Sequence, residues 1–521
     1  MVLQRWLDQA ARQSQSNEEG SMAGASKSLG LTVTREEWCQ AAEDMATHGG
    51  RLLSLWASRN GTEDDAVRAA FIAGSSVLVL SLPVTASVAR YPGIEQWFPS
   101  ASRMQRAVAD LSGLRSTDAD TRPWLRHAAW PESFHPLVGP HTPPSPAIPV
   151  IDNYAFVPVE GDGVHEIPVG PVHAGVIEPG HFRFSVVGEK VLRLEEHLGY
   201  AHKGIERRFT EFPLLSGHRL AARVSGDSAV AYSWAYCQAL EGMVAARLPA
   251  RASWLRALAL ELERLANHLG DLGAIGNDAG FAFGLAQFSR LKEHLLRATE
   301  QALGQRYLMD FIVPGGTRVD LSSTDALFLL ESIVSILAEV EILRTIYDEH
   351  PGLRDRFTGA GIVTPALAAR LGLTGLAGRA SGQAFDLRCD LPCDPYDDMD
   401  LKKAAHTGGD VAARVAVRFD EVTESTRLMR RLLSQLPTGL HHVGLSVPND
   451  GALGVGLIEG WRGPIFLALE AGGDGMIRRC HPHDPSWQNW TVIEHAIIDN
   501  IVPDFPLINK SFNLSYSGHD L

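Results

Sequence analysis

The feature that most constrains the fold is a proline-rich stretch that divides the chain into two unequal parts. Residues 135–166 read HPLVGPHTPPSPAIPVIDNYAFVPVEGDGVHE. Proline lacks a backbone N–H and fixes φ, so such a run sustains neither a helix nor a central strand. We therefore predict an extended linker at 135–166, a folded unit on each side of it, and a flexible segment over residues 1–30.

The shorter unit, residues 31–134, has the pattern of a small α/β domain. The segment TREEWCQAAEDMATHGG predicts a helix that is capped by Thr34 and ends at Gly49-Gly50. The apolar run SSVLVLSLPV that follows predicts a buried strand.

The longer unit, residues 167–521, begins with strands and continues mostly as helices. HFRFSVVGEKVLRLEEHL alternates on both sides of Gly188 and predicts a hairpin. Residues 250–275, 324–350 and 410–436 carry apolar stripes at helical spacing, and we expect these stripes to face the core. The predicted fold class is α+β: a small N-terminal α/β domain and a mostly helical domain with a short β-stranded start.

Charge and apolar patterning exclude two classes of protein. A formal net charge of -14 argues against a nucleic-acid binder, which would show a basic face. The longest apolar runs are too short for a membrane span, and the apolar part of the N-terminus is broken by Gln, Arg and Asp, unlike a secretory signal. We therefore expect a location in the cytoplasm, with any membrane contact made through partners.

Several segments, in order from about Gly170, carry a resemblance to a known family. They are VGPVHAGVIEPGHFRFSV, LGYAHKGIERRF, PARASWLRALALELERLANHLGDLG, VPGGTRVDL and IEGWRGP. Residues 167–521 resemble the large subunit of group 4 energy-converting [NiFe]-hydrogenases of the formate hydrogenlyase type, which is related to the quinone-site subunit of complex I. Residues 31–134, through QRAVADLSGL, resemble the small hydrophilic partner subunit of complex I.

The resemblance implies that the metal ligands of these hydrogenases are missing here. In the family four cysteine thiolates, in the motifs R-x-C-G-x-C and D-P-C-x-x-C, hold nickel and iron. The matching positions of this chain are Ser225, Ser228, Ser515 and Gly518. Nickel needs soft sulfur donors, for which a serine hydroxyl is a poor substitute. The chain also stops at Leu521, about where the processed hydrogenase would end, which agrees with loss of the metal.

A set of polar residues remains as candidate proton or quinone-site groups: His173, Glu178, His181, Arg183, His202, Glu263, His268 and Asp278. Buried histidine and carboxylate groups can exchange protons near neutral pH. The alternative is that they are paired charges that orient helices. Complex I turned the vacated cavity into a quinone site, but here Ile177 stands where complex I has its second histidine.

The predicted cofactors and partners follow from the resemblance and from what the chain lacks. Gly315-Gly316 does not have the spacing of a dinucleotide site, and Cys389 and Cys393 lack the second pair that a tetrahedral metal site needs. We expect no cofactor bound by this chain itself, a quinone as a candidate ligand, and iron–sulfur clusters in a small partner subunit. Antiporter-like membrane subunits would hold the chain peripherally on the cytoplasmic side of the inner (cell) membrane, and we expect no nucleic-acid partner.

The preferred hypothesis is therefore a subunit of a membrane-associated, complex I-like or hydrogenase-like oxidoreductase that takes part in quinone-type electron transfer or in proton or ion coupling. One alternative is an active [NiFe] hydrogenase with unusual ligands. Another is a non-catalytic scaffold whose cavity is filled by Tyr232, Trp234 or Tyr516. Whether the chain itself turns over a substrate stays open.

Overall fold

The computed structural model describes residues 2–16, 23–24, 28–59, 65–85, 89–138 and 154–521. The middle of the predicted linker, residues 139–153, lies outside the described residues, as do residues 17–22 and 25–27 of the predicted flexible segment. The described linker residues 135–138 and 154–163 contain no helix or strand. The predicted end of the linker is wrong by three residues, because residues 164–166 already belong to a strand that begins at Val164 and pairs with a neighbouring strand.

The N-terminal part is built on a four-stranded sheet. Its elements are α1 (Val2–Ser16), β1 (Ala23–Gly24), β2 (Ser28–Thr32), α2 (Arg35–Thr47), β3 (Arg51–Ser58), β4 (Ala66–Ala73), β5 (Ser76–Pro83), β6 (Arg90–Tyr91), α3 (Ala101–Ser112) and β7 (Arg115–Ser116). The sheet order is β2-β5-β4-β3, with β2 parallel to β5 and the other pairs antiparallel. The predicted strand at β5 is confirmed.

Helix α2 begins as its sequence predicts. The Thr34 side chain accepts a hydrogen bond from the Glu37 N–H, and the Glu37 carboxylate accepts one from the Thr34 N–H. This reciprocal pair satisfies two backbone donors that a helix start would otherwise leave without partners. The helix ends at Thr47. The left-handed residue that follows is Gly49 at φ +80°, a conformation that glycine adopts without steric penalty.

The N-terminal segment differs from the expectation of flexibility. Val2–Ser16 is a helix, and it buries Trp6 and Ala10. The Trp6 indole N–H donates to the Asp44 carboxylate at 2.8 Å, and Arg5 pairs with the same carboxylate at 3.1 Å. Residues 2–16 are ordered because this apolar face and these two donors meet α2, a tertiary contact that no local pattern reveals.

The C-terminal part starts with a three-stranded sheet and continues with helices and a second sheet. Its elements are β8 (Val164–Val169), β9 (His181–Val187), β10 (Lys190–His197), α4 (Ile205–Phe209), α5 (His218–Ala221), α6 (Ala229–Met243), α7 (Ala250–Asp278), α8 (Ala282–Leu303), β11 (Ile312–Val313), β12 (Gly316–Thr317), α9 (Ser323–Glu349), α10 (Pro351–Phe357), α11 (Pro365–Leu371), α12 (Gly375–Ala380), α13 (Leu387–Asp390), α14 (Val411–Ser434), β13 (Leu453–Glu459), β14 (Pro464–Ala471), β15 (Ile477–His483), α15 (Ser486–Ala496), α16 (Phe505–Phe512) and α17 (Tyr516–Asp520). The antiparallel pair β9–β10 confirms the predicted hairpin.

The long helices α7, α8, α9 and α14 pack against one another and form the helical core. On α7 the predicted leucine stripe is buried throughout, so the expectation of a core face is confirmed there. On α9 it is wrong in part, because Leu327 and Ile342 are 62% and 63% exposed. The α+β class is confirmed. Among the described helices, none has both the length and the apolar composition needed to cross a bilayer.

The two parts meet along polar contacts between their sheets. Strand β1 pairs in parallel with β13, so the N-terminal segment extends the sheet β13-β14-β15. Ser54 on β3 hydrogen-bonds His481 and His483 on β15, and Ser58 donates to Glu470 on β14. These buried polar groups tie the N-terminal sheet to the C-terminal one.

Candidate functional site

The two ends of the C-terminal domain meet where the sequence predicts a former metal position. The Ser225 and Ser515 hydroxyl oxygens are 2.9 Å apart although the residues are 290 positions apart in the chain. Ser228 stands at the start of α6, and the Gly518 N–H donates to the Ser515 hydroxyl at 2.8 Å. The positions predicted from two separate motifs therefore form one buried cluster.

An ion pair that the sequence analysis did not single out lies at the centre of this cluster. The Arg462 guanidinium binds the Asp227 carboxylate with two parallel hydrogen bonds, one of them 2.8 Å long, and also contacts Ser228. Ser225 donates to Asp227 at 2.7 Å. Burial works to raise the pKa of Asp227, but Arg462 and the serine hydroxyls outweigh it and lower the pKa to about 2. Asp227 is therefore ionised at every physiological pH.

The donors at this position do not suit a nickel–iron centre. They are hydroxyls and a carboxylate, which are hard donors, and nickel in such a site needs thiolates. A side chain at Gly518 would meet the Asp484 carboxylate, because a Cβ built there lies 2.5 Å from Asp484 Oδ2. Across the described residues no three His, Cys, Asp or Glu side chains are grouped so that they could hold a metal ion.

Glu263 reaches this cluster from α7 and stands against the N-terminus of α6. Its two carboxylate oxygens accept the N–H groups of Val230 and Ala231 at 2.7 and 3.2 Å. Burial, reinforced by the neighbouring negative charge of Asp227, raises the pKa of Glu263 to about 8, and the two backbone N–H groups only partly oppose this shift. Two neighbouring carboxyls thus have pKa values far apart, which suits one to carry a proton and the other to carry a charge.

A cavity of about 390 Å³ opens beside these two carboxyls. Its walls are largely apolar and come from α7, α8, the segment after α8 and the residues just before α6. They include Gly226, Asp227, Leu262, Glu263, Leu296 and Leu308. Asn267, Lys292, Thr299 and Arg306 add polar groups. An apolar pocket with a few convergent polar groups is the usual form of a small-molecule site.

The loop between β8 and β9 contacts the C-terminal helix α17 with two of the predicted residues. The His173 ring lies 3.4 Å from the Tyr516 hydroxyl, and the Glu178 carboxylate accepts the Ser517 N–H at 2.9 Å. Both residues therefore lie next to the Ser515 end of the cluster.

Two more hydrogen bonds connect the cluster with its surroundings. The Tyr232 hydroxyl donates to the Asp484 carboxylate at 2.8 Å, and both groups are buried. The His202 ring donates to the backbone carbonyl of Asp520 at 2.7 Å. His202, predicted as a site residue, thus holds the C-terminal helix.

The other predicted residues lie elsewhere. His268 hydrogen-bonds Glu421 at 2.7 Å inside a buried cluster of ion pairs between α7 and α14. Asp278 is an exposed residue at the end of α7, 15 positions or about 22 Å of helix beyond Glu263. His181 and Arg183 belong to the hairpin, where Arg183 pairs with a carboxylate of β8. The structure does not bring these four side chains to the Asp227 cluster.

A second arrangement has the hydrogen bonds of a hydrolase triad but not the accessibility. Ser54 is 2.8 Å from His481 Nε2, and the other ring nitrogen of His481 is 2.6 Å from Glu206. Arg479 and His481 outweigh burial and lower the pKa of Glu206 to about 2. Ser54 is fully buried, and the adjoining cavity of about 20 Å³ holds about one water. These residues bind the two sheets together and do not offer a nucleophile to a substrate.

Comparisons with known proteins agree with this architecture. The family described as "Respiratory-chain NADH dehydrogenase, 49 Kd subunit" matches residues 278–447. Formate hydrogenlyase subunit 5 of Escherichia coli (strain K12) is 30% identical over 457 residues, which cover 85% of this chain and 79% of that protein. The chain belongs to the family of group 4 hydrogenase large subunits and their complex I counterparts.

Two further similar proteins extend the family relationship and the fold. An NADH-quinone oxidoreductase subunit of Bacteroides thetaiotaomicron is 28% identical over 325 residues, covering 62% of this chain and 61% of that protein. A chain of the archaeal membrane-bound sulfane sulfur reductase superposes with a TM-score of 0.65 at 22% identity and covers 70% of this chain and 100% of itself. This chain therefore shares its fold with that chain of an archaeal respiratory membrane complex.

The sequence analysis did not predict Asp227, Arg462 or Asp484 as parts of the site. Asp227 belongs to the segment RVSGDS and Arg462 to IEGWRGP, so both residues lie in motifs that carry the resemblance. The signal that could have found Asp227 is an acidic residue between Ser225 and Ser228, the two serines that the resemblance places at cysteine positions. Asp484, which fills the space next to Gly518, has no such signal.

Proposed function

We propose that the chain is a peripheral subunit of a membrane-associated oxidoreductase complex, and that its former metal position handles protons in place of nickel and iron. The observation that supports this most directly is the Asp227–Arg462 pair, bound by the serines that stand at ligand positions. A buried arginine needs a negative partner. Asp227 supplies this charge from the protein itself, so the cluster is stable without a metal.

Glu263 is the group that we assign to proton exchange. Its pKa of about 8 lies near the pH of the cytoplasm, where a carboxyl group can both take up and release a proton. The ionised Asp227 next to it holds a fixed negative charge. Any further charge that arrives in the adjoining cavity shifts the pKa of Glu263 and so couples electron movement to proton movement.

A quinone-type acceptor is the second function that a specific observation favours. The cavity of about 390 Å³ has apolar walls and places Asp227 and Glu263 at its lining, which fits the ring of a quinone. When bound, a quinone would accept electrons and protons. Glu263 would supply one proton from its carboxyl, and Lys292, which also lines the cavity, would stabilise negative charge.

We infer the partners from the family. A small iron–sulfur subunit would deliver electrons, and antiporter-like membrane subunits would hold the chain at the cytoplasmic face of the membrane. The active [NiFe] hydrogenase and the non-catalytic scaffold are the competing functions.

The test is purification of the N-terminally tagged chain from its native membrane in mild detergent, with mass spectrometry and metal analysis of the same sample. We expect iron–sulfur and membrane subunits to co-purify, with iron but without stoichiometric nickel. Stoichiometric nickel would establish the hydrogenase instead. An intact complex whose electron transfer and proton uptake are the same in wild type and Glu263→Gln would favour the scaffold.

A further inference from the structure

A second, larger cavity lies between the N-terminal and C-terminal parts, away from the Asp227 cluster. Its volume is about 580 Å³. One wall comes from the start of β3 and residues 96–100, and the other from α11 and residues 383–385. Asp227, Glu263 and the serines do not line it.

Arg51, the first residue of β3, is the main polar group of this cavity. Its guanidinium carbon lies 4.7 Å from the centre of the Phe385 ring. Within the described part of the chain, Arg51 makes no side-chain hydrogen bond and no ion pair. Burial lowers the pKa of Arg51, because it disfavours the charged guanidinium. A guanidinium has five N–H donors, and in protein structures a partly buried guanidinium is seldom found without a hydrogen-bond acceptor.

The carboxylates nearest to Arg51 are already neutralised by other cations. Asp390 binds Lys403 at 2.6 Å, and Glu459 binds Arg379 at 2.8 Å. Their fields favour the charged form of Arg51, but neither carboxylate accepts a hydrogen bond from it among the described contacts. As far as the described residues go, the five N–H groups of Arg51 thus remain for a ligand.

The charge of the cavity lining is opposite to that of the chain. Arg370 of α11 is the second cation of the lining, and no aspartate or glutamate is among the described lining residues. The chain as a whole has a formal net charge of -14. The amides of Gln96 and Gln383 add neutral donors and acceptors to the same walls.

The remaining walls are apolar and partly aromatic. They include Leu52, Ile72, Trp97, Phe98, Leu371 and Phe385. A volume of about 580 Å³ is in the range of pockets that enclose a small organic molecule.

We propose that this cavity binds a small organic anion, in which a phosphate or carboxylate group is joined to an apolar or aromatic body. Arg51 binds the anionic group with charge-assisted hydrogen bonds, and Arg370 adds a second positive charge at the rim. The apolar body packs on Phe385 and on the aromatic residues of the opposite wall. Since its lining shares no residue with the Asp227 cluster, this site stands apart from the proposed function.

Calorimetric titration of the purified full-length chain with 1-naphthyl phosphate tests the proposal. We expect one site per chain. Binding of 1-naphthol, which lacks the anionic group, and of inorganic phosphate, which lacks the aromatic body, should be weaker. Arg51→Gln should weaken binding at least about tenfold, the effect of losing a charge-assisted hydrogen bond. Arg370→Gln should weaken it less.

The matched control is Arg354→Gln, which removes an exposed charge of α10 outside the cavity and should leave the affinity unchanged. Equal affinity in the Arg51→Gln and wild-type chains would overturn the proposal, as would equally tight binding of 1-naphthol. If Arg51→Gln lowers the melting temperature, Arg370→Gln decides the question, because Arg370 is exposed and its replacement leaves the fold intact.

Discussion

Replacing Glu263 with glutamine tests whether a protonated carboxyl stands beside Asp227. Glutamine has nearly the same shape but cannot ionise. In the wild type the pKa of Glu263 is about 8 instead of the ordinary 4.5. At pH 7 about nine in ten molecules therefore carry a proton on this side chain.

The same pKa fixes how stability depends on pH. The folded chain keeps the proton between about pH 4.5 and 8, whereas the unfolded chain has lost it. Unfolding thus releases a proton, and the contribution of Glu263 to the free energy of unfolding falls by about 1.4 kcal/mol for each pH unit in this window. Over the whole shift from 4.5 to about 8 the loss is about 5 kcal/mol. Glu263→Gln should remove this part of the pH dependence.

Difference infrared spectroscopy of the full chain between pH 5 and 9 measures the proton directly. We expect a carboxylic-acid carbonyl band that disappears with a midpoint near pH 8 and is absent in Glu263→Gln. Glu331→Gln, on the exposed face of α9, is the matched control and should keep the band. A band that titrates below pH 6, or one that survives in Glu263→Gln, would refute the reasoning.

Two further substitutions address the cluster itself. Asp227→Asn should lower the free energy of unfolding by about 2 kcal/mol in chemical denaturation, because it leaves Arg462 without its anion. The Asp227 side chain is 37% exposed, so water limits this loss. A loss below about 0.5 kcal/mol would contradict the pairing. Gly518→Ala should cost about 1–3 kcal/mol because its Cβ would lie 2.5 Å from Asp484, whereas Gly226→Ala, which meets no atom within 4 Å, should be neutral. Equal melting temperatures for these two variants would disprove the close packing at 518.

The sequence predicts features that depend on local chemistry better than those that depend on distant contacts. The start of α2 follows from the Thr34–Glu37 capping pair, and the burial of α7 follows from its leucine spacing. Helix α1 is ordered because Trp6 meets a carboxylate of α2, which periodicity cannot reveal. The exposed Leu327 of α9 likewise depends on which neighbours cover each helix face.

The candidate site shows the same division. The resemblance assigned Ser225 and Ser515 to one former metal position, and the structure places their hydroxyl oxygens 2.9 Å apart. The pairing of Asp227 with Arg462, 235 positions later, could not be predicted, because a single sequence gives no measure of which distant charges become neighbours.

The pairing of β1 with β13 sets the order in which the chain can complete its structure during synthesis. Ala23 aligns with Gly454, so the N-terminal strand leaves the ribosome hundreds of residues before its partner. The Ser54 side chain likewise lacks its hydrogen-bond partner until His481 has been synthesised. Strand β1 of a nascent chain must therefore stay unpaired until β13 has been synthesised, and a product truncated before β13 would present that unpaired strand to chaperones or proteases.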